Sequence, residues 1–124
     1  MGVKIKMGII VECNGQELWS PSLRVGNLFF AQIQAVEQAL DIKSGVDTFI
    51  ADTLEIDSPT FNLFVNAALH KLETTNNGPL FAMTAGCLEI AIAINAQITG
   101  EWPEVSERLK PLILKAKTVM NAIP

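Results

Sequence analysis

The chain has 124 residues, a usual length for a single domain, and 49% of them are hydrophobic while 18% are charged. This composition can fill one core and lacks the signature of a disordered chain. Nine basic and thirteen acidic side chains give a formal net charge of −4. That balance disfavours nucleic acid and anionic membrane surfaces as partners, whereas a basic protein partner is compatible with it.

The two cysteines, Cys13 and Cys87, are far apart in the sequence and lie in apolar surroundings. We expect two buried, reduced thiols, because a disulfide framework needs more cysteines. A structural zinc site usually takes four Cys or His ligands, and the chain has one histidine. Phosphate loops and dinucleotide fingerprints do not occur in the sequence either. We therefore expect neither a metal nor a cofactor.

Targeting signals are not evident in the sequence. Residues Met1–Met7 lack the apolar stretch and small-residue cleavage site of a signal peptide. The most apolar run, Leu80–Ile94, is short for a membrane span and contains Glu89. The cytoplasm is the expected location.

A β-hairpin is predicted over residues 3–19. Lys4–Glu12 alternates weakly and is rich in β-branched residues, which favours a strand. Asn14-Gly15 follows, a dipeptide that tolerates positive φ in a tight hairpin turn. Gln16–Trp19 is then predicted to return as the second strand.

The first helix is predicted over residues 21–41. Ser20-Pro21-Ser22 is a helix-start signal, and apolar residues recur at helical spacing from Leu28 to Leu40. Ser44-Gly45 is the expected stop. The next segment, Val46–Ile56, alternates imperfectly, and it fits either a short strand or an irregular packed segment.

Three further helices are predicted, over residues 59–74, 79–98 and 103–121. The second helix follows the cap Asp57-Ser58-Pro59 and has one apolar stripe: Phe61, Phe64, Val65, Ala68, Leu69 and Leu72. The third is apolar on every side, which is typical of a helix buried in the centre of a domain. The fourth starts at Pro103 and must be kinked or divided at Pro111. The prediction is one α+β, mainly α domain over residues 1–124, with an N-terminal β-hairpin followed by about four helices around one core.

Catalytic groupings are not visible in the sequence. His70, the one imidazole, stands without a nucleophile or an orienting carboxylate nearby in the chain, so we interpret it as a partly exposed helix residue. Glu89 interrupts the most apolar helix, where an unpaired carboxylate is costly to bury. A raised-pKa acid in a pocket is one interpretation, and the favoured one is a solvent-facing helix edge or an ion pair with Arg24 or Arg108. We expect no enzyme activity.

The candidate partner-binding residues are acidic or aromatic. Asp47, Asp52, Glu55 and Asp57, with Asp41 before them, share their stretch of chain with a single base, Lys43. This stretch is either a solvated loop or an acidic surface that attracts a basic partner. Trp19 and Trp102 each flank a proline or a turn. Core packing is the expected role for both, although tryptophan is also the residue most enriched at binding hot spots.

One sequence pattern resembles a known family. Leu18-Trp19-Ser20-Pro21-Ser22 is followed by Leu28-Phe29 and Ala31-Gln32, with Glu37 further on. This resembles the L-W-x-P-S … L-F-x-A-Q entry into the first helix of a family of small, uncharacterised bacterial proteins. The match covers roughly Leu18 to Trp102 and its motifs are structural. Small domains of this kind look like the immunity proteins that accompany secreted bacterial toxins.

That resemblance implies a cytoplasmic inhibitor that binds a cognate toxin effector domain and occludes its active site. It implies no catalytic residues, no nucleic acid and no membrane as partner. Two other hypotheses stay open. One is a structural, adaptor or secretion-chaperone domain, which an exposed apolar patch without a charged rim would favour. The other is a small-molecule-binding protein that uses Glu89 and His70 in a pocket between helices.

Overall fold

Four strands and four helices make up the part of the chain that the computed structural model describes, residues 8–48, 50 and 52–120. The elements in chain order are β1 (Ile10–Cys13), β2 (Gln16–Trp19), α1 (Leu23–Leu40), β3 (Val46–Thr48), β4 (Thr53–Ile56), α2 (Ser58–Thr74), α3 (Gly78–Thr99) and α4 (Lys110–Val119), the last preceded by a 3₁₀ turn, Glu107–Leu109. The predicted fold class is confirmed: the chain is α+β and mainly α, with an N-terminal hairpin.

The hairpin is the first half of a four-stranded sheet with the strand order β2-β1-β4-β3. Its turn is Asn14-Gly15, with φ of 53° and 79°, as the dipeptide predicts. The segment left open by the sequence forms both other strands. β4 pairs parallel with β1, and β3 pairs antiparallel with β4. The predicted first strand is shorter than expected, since β1 begins at Ile10, and residues 3–7 lie outside the described residues.

Three helices begin at a side-chain cap, and two of the caps, Ser22 and Asp57, belong to the start signals predicted from the sequence. Ser22 accepts a hydrogen bond from the Val25 backbone N–H (3.2 Å), Asp57 from that of Thr60 (3.3 Å), and Asn77 from that of Leu80 (3.0 Å). Each cap satisfies one of the amide donors that the first turn of a helix leaves without an intrahelical partner.

The predicted start of the last helix at Pro103 is wrong. Residues 101–106 contain no helix, and α4 begins at Lys110 with Pro111 in its first turn. Proline is accommodated in a first turn because the N–H that it lacks would have no intrahelical partner there. Pro111 therefore starts the helix that it was expected to kink.

The connection between α3 and α4 is fixed to the end of α2. Ser106 donates a backbone hydrogen bond to Glu73 Oε2 (3.2 Å). Arg108 donates to the backbone carbonyls of Glu73 (3.1 Å) and Thr75 (2.8 Å), and its guanidinium carbon lies 5.2 Å from the centre of the Phe81 ring. The guanidinium thus donates hydrogen bonds to carbonyls that have no intrahelical partner at the end of a helix.

One core joins the inner face of the sheet to the helices. Its largest fully buried side chains include Phe61, Phe64 and Leu72 of α2, Leu88 and Ile92 of α3, Ile33 of α1 and Val11 of β1. All six predicted stripe residues of α2 are buried. This core covers one face of the sheet and leaves the polar residues of the strands on the other.

The interpretation of α3 as buried on every side needs correction. Its eight buried residues lie between Thr84 and Asn95, whereas Ala82, Met83 and Gly86 near its start are exposed. By length and composition α3 is the one helix among the described residues that could cross a membrane. That is weak support for a span, because the core helix of a globular protein passes the same test.

Candidate functional site

Four carboxylates lie side by side across the outer face of the sheet, one on each strand. Glu12 of β1 pairs with Glu17 of β2 and with Glu55 of β4, and Glu55 pairs in turn with Asp47 of β3. Residues in register on neighbouring strands point to the same face. We call Glu17, Glu12, Glu55 and Asp47 the acidic row. Glu17, Glu55 and Asp47 are exposed, and Glu12 is half-buried.

No carboxylate of the acidic row makes an ion pair with a residue in the described part of the chain. Among those residues the one ion pair joins Lys110 to Glu107 (2.6 Å), outside the sheet. Directly opposite side chains on antiparallel strands have Cβ atoms about 4.5–5.5 Å apart, and like charges at that distance are destabilising. The two antiparallel pairings of the row, Glu12 with Glu17 and Glu55 with Asp47, therefore oppose folding.

A groove beside the sheet adds further carboxylates. It has a volume of about 920 Å³ and is lined by both polar and apolar side chains, among them Asp41, Lys43, Asp47 and Asp57. A smaller cavity of about 320 Å³ is lined by Glu55 as well as by Asp47 and Asp57. The two cavities share Asp47 and Asp57, so the groove continues from the acidic row.

One carboxylate of the groove has a structural role. Glu37 Oε2 accepts hydrogen bonds from the backbone N–H of Ser44 (2.7 Å) and from its hydroxyl (2.6 Å). The Ser44 hydroxyl, which is buried, also accepts a hydrogen bond from the Val46 backbone N–H (3.1 Å). These bonds position the loop that leads from α1 into β3, and with it Asp47.

The charge of the protein is concentrated on this surface. The acidic row and the carboxylates of the groove (Glu12, Glu17, Glu37, Asp41, Asp47, Glu55 and Asp57) are seven of the thirteen acidic residues, and Lys43 is one of nine basic residues. They carry a formal charge of −6, whereas the other described residues carry six acidic and six basic side chains and no net charge.

Of the four acidic residues predicted from the sequence, three belong to this surface. Asp47 and Glu55 lie in the acidic row, and Asp57 lines the groove while capping α2. Asp52 instead lies in the turn between β3 and β4, with a φ of 59°. Ile50 in the same turn is 67% exposed, and its carbonyl accepts a hydrogen bond from the Thr53 N–H (2.9 Å).

The two tryptophans do not join the acidic residues. Trp19 is half-buried and packs edge-on against Phe29 of α1, with ring centres 5.5 Å apart, so it belongs to the core. Trp102 is 39% exposed and lies below the ammonium of Lys117, at 5.5 Å from the ring centre. It lines a separate cavity with asparagines of α2 and α3.

His70 and Glu89 do not share a cavity. His70 is exposed and lines a cavity of about 360 Å³ with Leu40 of α1 and Lys71. Glu89 is half-buried on α3 and does not line that cavity. Within the described residues Glu89 makes no ion pair with Arg24 or Arg108. Arg108 instead donates hydrogen bonds to backbone carbonyls at the end of α2.

Both cysteines are buried and free, as the composition predicts. Burial raises the pKa of the Cys87 thiol from 9.0 to about 12, because the thiolate would lose its hydration in the core. Among the described residues no group of three or more His, Cys, Asp or Glu side chains is placed to hold a metal ion.

Sequence comparison places the chain in a family. The DUF6086 family, described as a family of unknown function, matches residues 7–124. The chain belongs to the DUF6086 family. No curated protein and no solved structure matches it significantly. Membership of DUF6086 therefore covers nearly the whole chain, including every strand and helix of the acidic surface.

Glu12 and Glu17 were not among the binding residues predicted from the sequence. The hairpin contained the signal, because a two-residue Asn14-Gly15 turn sets Cys13 opposite Gln16 and hence Glu12 opposite Glu17. The parallel pairing of β1 with β4 had no comparable signal, since it joins residues more than forty positions apart, such as Glu12 and Glu55.

Proposed function

We propose that this protein is an inhibitor that binds a basic protein surface on its acidic row. In its specific form the proposal is an immunity protein that occludes the active site of a cognate bacterial toxin domain in the cytoplasm. The observation that carries it is the register of the acidic row: like charges on all four strands, none of which makes an ion pair with a described residue. Such an arrangement opposes folding, and a basic partner would relieve the repulsion.

The surroundings of the acidic row suit a protein partner. Asp41, Asp57 and Asp47 of the row line a groove of about 920 Å³, which is large enough for a basic side chain to enter. Ile50, exposed at the turn next to the row, offers an apolar contact that carboxylates cannot supply. Charges at a rim mainly raise the association rate, whereas apolar anchors mainly slow dissociation.

The test uses the toxin domain encoded next to the gene, produced in an inactive form, and measures association by surface plasmon resonance. The variant combines Glu12→Gln, Asp47→Asn and Glu55→Gln. The control combines Glu101→Gln, Glu104→Gln and Glu107→Gln, which removes the same formal charge from the connection between α3 and α4. At low ionic strength we expect the row variant to associate about tenfold more slowly than the control.

Added salt should narrow the difference between the two variants, because it screens charges separated by more than about 8–10 Å. Equal association rates for the row variant and the control would refute the acidic row as the binding surface. A neighbouring gene that encodes a regulator or a metabolic enzyme instead of a toxin would refute the immunity function.

A structural or adaptor role, including that of a secretion chaperone, has one observation in its favour. The exposed start of α3 carries Ala82, Gly86 and Met83, the last 75% exposed, which form an apolar stretch of surface. A Met83→Lys variant that abolishes the biological effect while binding the toxin domain normally would support this alternative.

A further inference from the structure

A buried asparagine near the end of α3 has an unused hydrogen-bonding atom. Asn95 is 7% exposed, and its Nδ2 donates to Asn62 Oδ1 of α2 (3.0 Å). Its Oδ1 is shielded from solvent and accepts no hydrogen bond from any described residue. A buried acceptor left without a partner is costly, so this oxygen requires a donor.

Turning the amide does not remove that requirement. If Asn95 and Asn62 were both rotated by 180°, Asn62 would donate to Asn95 Oδ1 and the Asn95 NH₂ would be left without its acceptor. One polar atom of Asn95 needs an outside partner in either orientation. The terminal torsion of asparagine is broad, so a modest rotation can present that atom to a ligand.

Asn95 lines a cavity of about 230 Å³ between α2, the end of α3 and the segment that follows. Trp102 and Pro103 contribute an apolar lining, and Asn62 and Asn66 contribute amides from successive turns of α2. Asn66 Nδ2 donates to the backbone carbonyl of Asn62 (2.9 Å), which orients this side chain along the helix.

The polar groups of the cavity offer both acceptors and donors. Once the amide has rotated toward the cavity, Asn95 Oδ1 can accept, as can the Glu101 carboxylate. Asn62 Nδ2, which makes no hydrogen bond to a described residue, can donate. Glu101 contributes one negative charge, and Lys117 brings one positive charge to the ring of Trp102. A ligand that matches this lining is neutral, both donates and accepts hydrogen bonds, and has one apolar face.

We propose that this cavity binds a neutral sugar ring, with a hydroxyl donating to Asn95 Oδ1 and an apolar C–H face against Trp102. A sugar ring carries hydroxyls that donate and accept around its edge, as the three amides require. Pockets for drug-sized ligands have volumes of about 300–1,000 Å³, so the smaller cavity here suits a single ring. A planar nucleobase fits the lining less well, because it has two aromatic faces and the cavity has one tryptophan.

The test is titration of the ¹⁵N-labelled full chain with the methyl glycosides of glucose, galactose, mannose and N-acetylglucosamine, followed by NMR. A single ring in a shallow cavity should bind with a Kd on the order of 1 mM. We expect shifts of the Trp102 indole N–H and of the Asn62 and Asn95 side-chain amides, while the Trp19 indole signal stays in place.

Two variants and one control keep the test decisive. Trp102→Ala and Asn95→Ala should each weaken binding by about tenfold, and Asn76→Ala, an exposed asparagine outside the cavity, should bind as the wild type does. Trp102→Ala alone suffices if Asn95→Ala does not fold. The proposal fails if no glycoside shifts these signals at about 10 mM. It also fails if Trp102→Ala binds like the wild type, or if adenosine shifts the signals and the glycosides do not.

Discussion

Phe64 has none of its surface exposed, whereas Leu63 beside it is 69% exposed. Phe64→Ala removes a ring from the packed core and should lower the free energy of unfolding by about 3–5 kcal/mol. Leu63→Ala should change it by less than about 0.5 kcal/mol. Urea denaturation of both variants measures the difference. Equal losses of the free energy of unfolding in the two variants would show that α2 packs against the core with another face.

Cys87 makes the stability of the fold depend on pH in the alkaline range. Its pKa is about 12 in the folded chain against 9.0 for an ordinary thiol, because the thiol is buried. Above pH 9.0 the unfolded chain loses this proton while the folded chain keeps it, so unfolding is favoured. The stabilisation is therefore complete below that pH and declines between the two pKa values.

Comparison with Cys87→Ala isolates this effect. Between about pH 8 and about pH 10.5, the wild type should lose more free energy of unfolding than the variant, because alanine does not titrate. Denaturant titrations at both pH values measure the two losses. The difference in packing between Cys87 and alanine changes the free energy of unfolding equally at both pH values, so it cancels in this comparison. Parallel losses would mean that the buried thiol has no part in the alkaline response.

Within the sheet, Glu55 lies between two like charges, Glu12 and Asp47. Glu55→Gln keeps the size of the side chain and removes both repulsions, so it should raise the free energy of unfolding by about 0.2–1 kcal/mol. Glu104→Gln is the control, since Glu104 lines a cavity with Lys110 and Lys117 and should not gain stability. Thermal unfolding at low salt measures both.

The same substitution connects stability with function. If the acidic row binds a partner, Glu55→Gln should be more stable and bind more weakly, the trade-off expected at a binding surface. A gain in stability without a loss of binding would mean that another surface makes the contact. A loss of stability would contradict the repulsion within the row.

The features that depend on residues close together in the sequence were predicted correctly. The Asn14-Gly15 turn, the Asp57 cap and the apolar stripe of α2 each depend on residues only a few positions apart. The segment Val46–Ile56 could not be assigned, because β3 has three residues and acquires its order from pairing with β4. The predicted start of α4 was wrong because Pro103 and Pro111 are both acceptable in the first turn of a helix. The connection packs against α2 through Ser106, and the helix begins next to Pro111.

Across the whole molecule, one hydrophobic cluster includes residues of the sheet and of all four helices. Unfolding should therefore be a single cooperative transition. Helix content followed by circular dichroism and the fluorescence of Trp19 in a Trp102→Phe variant should give coincident melting curves. Separate midpoints would show that the sheet and the helices unfold independently.

Length, composition and local patterns determined that this chain is α+β and mainly helical, with a surplus of acidic residues, because those properties are sums over residues or depend on near neighbours. Only the tertiary structure decided where the charge lies. Pairing of β1 with β4 aligned Glu12 with Glu55, and packing of α2 on α3 brought Asn62 to Asn95. Both contacts join residues more than thirty positions apart, so the balance of packing over the whole core determines them.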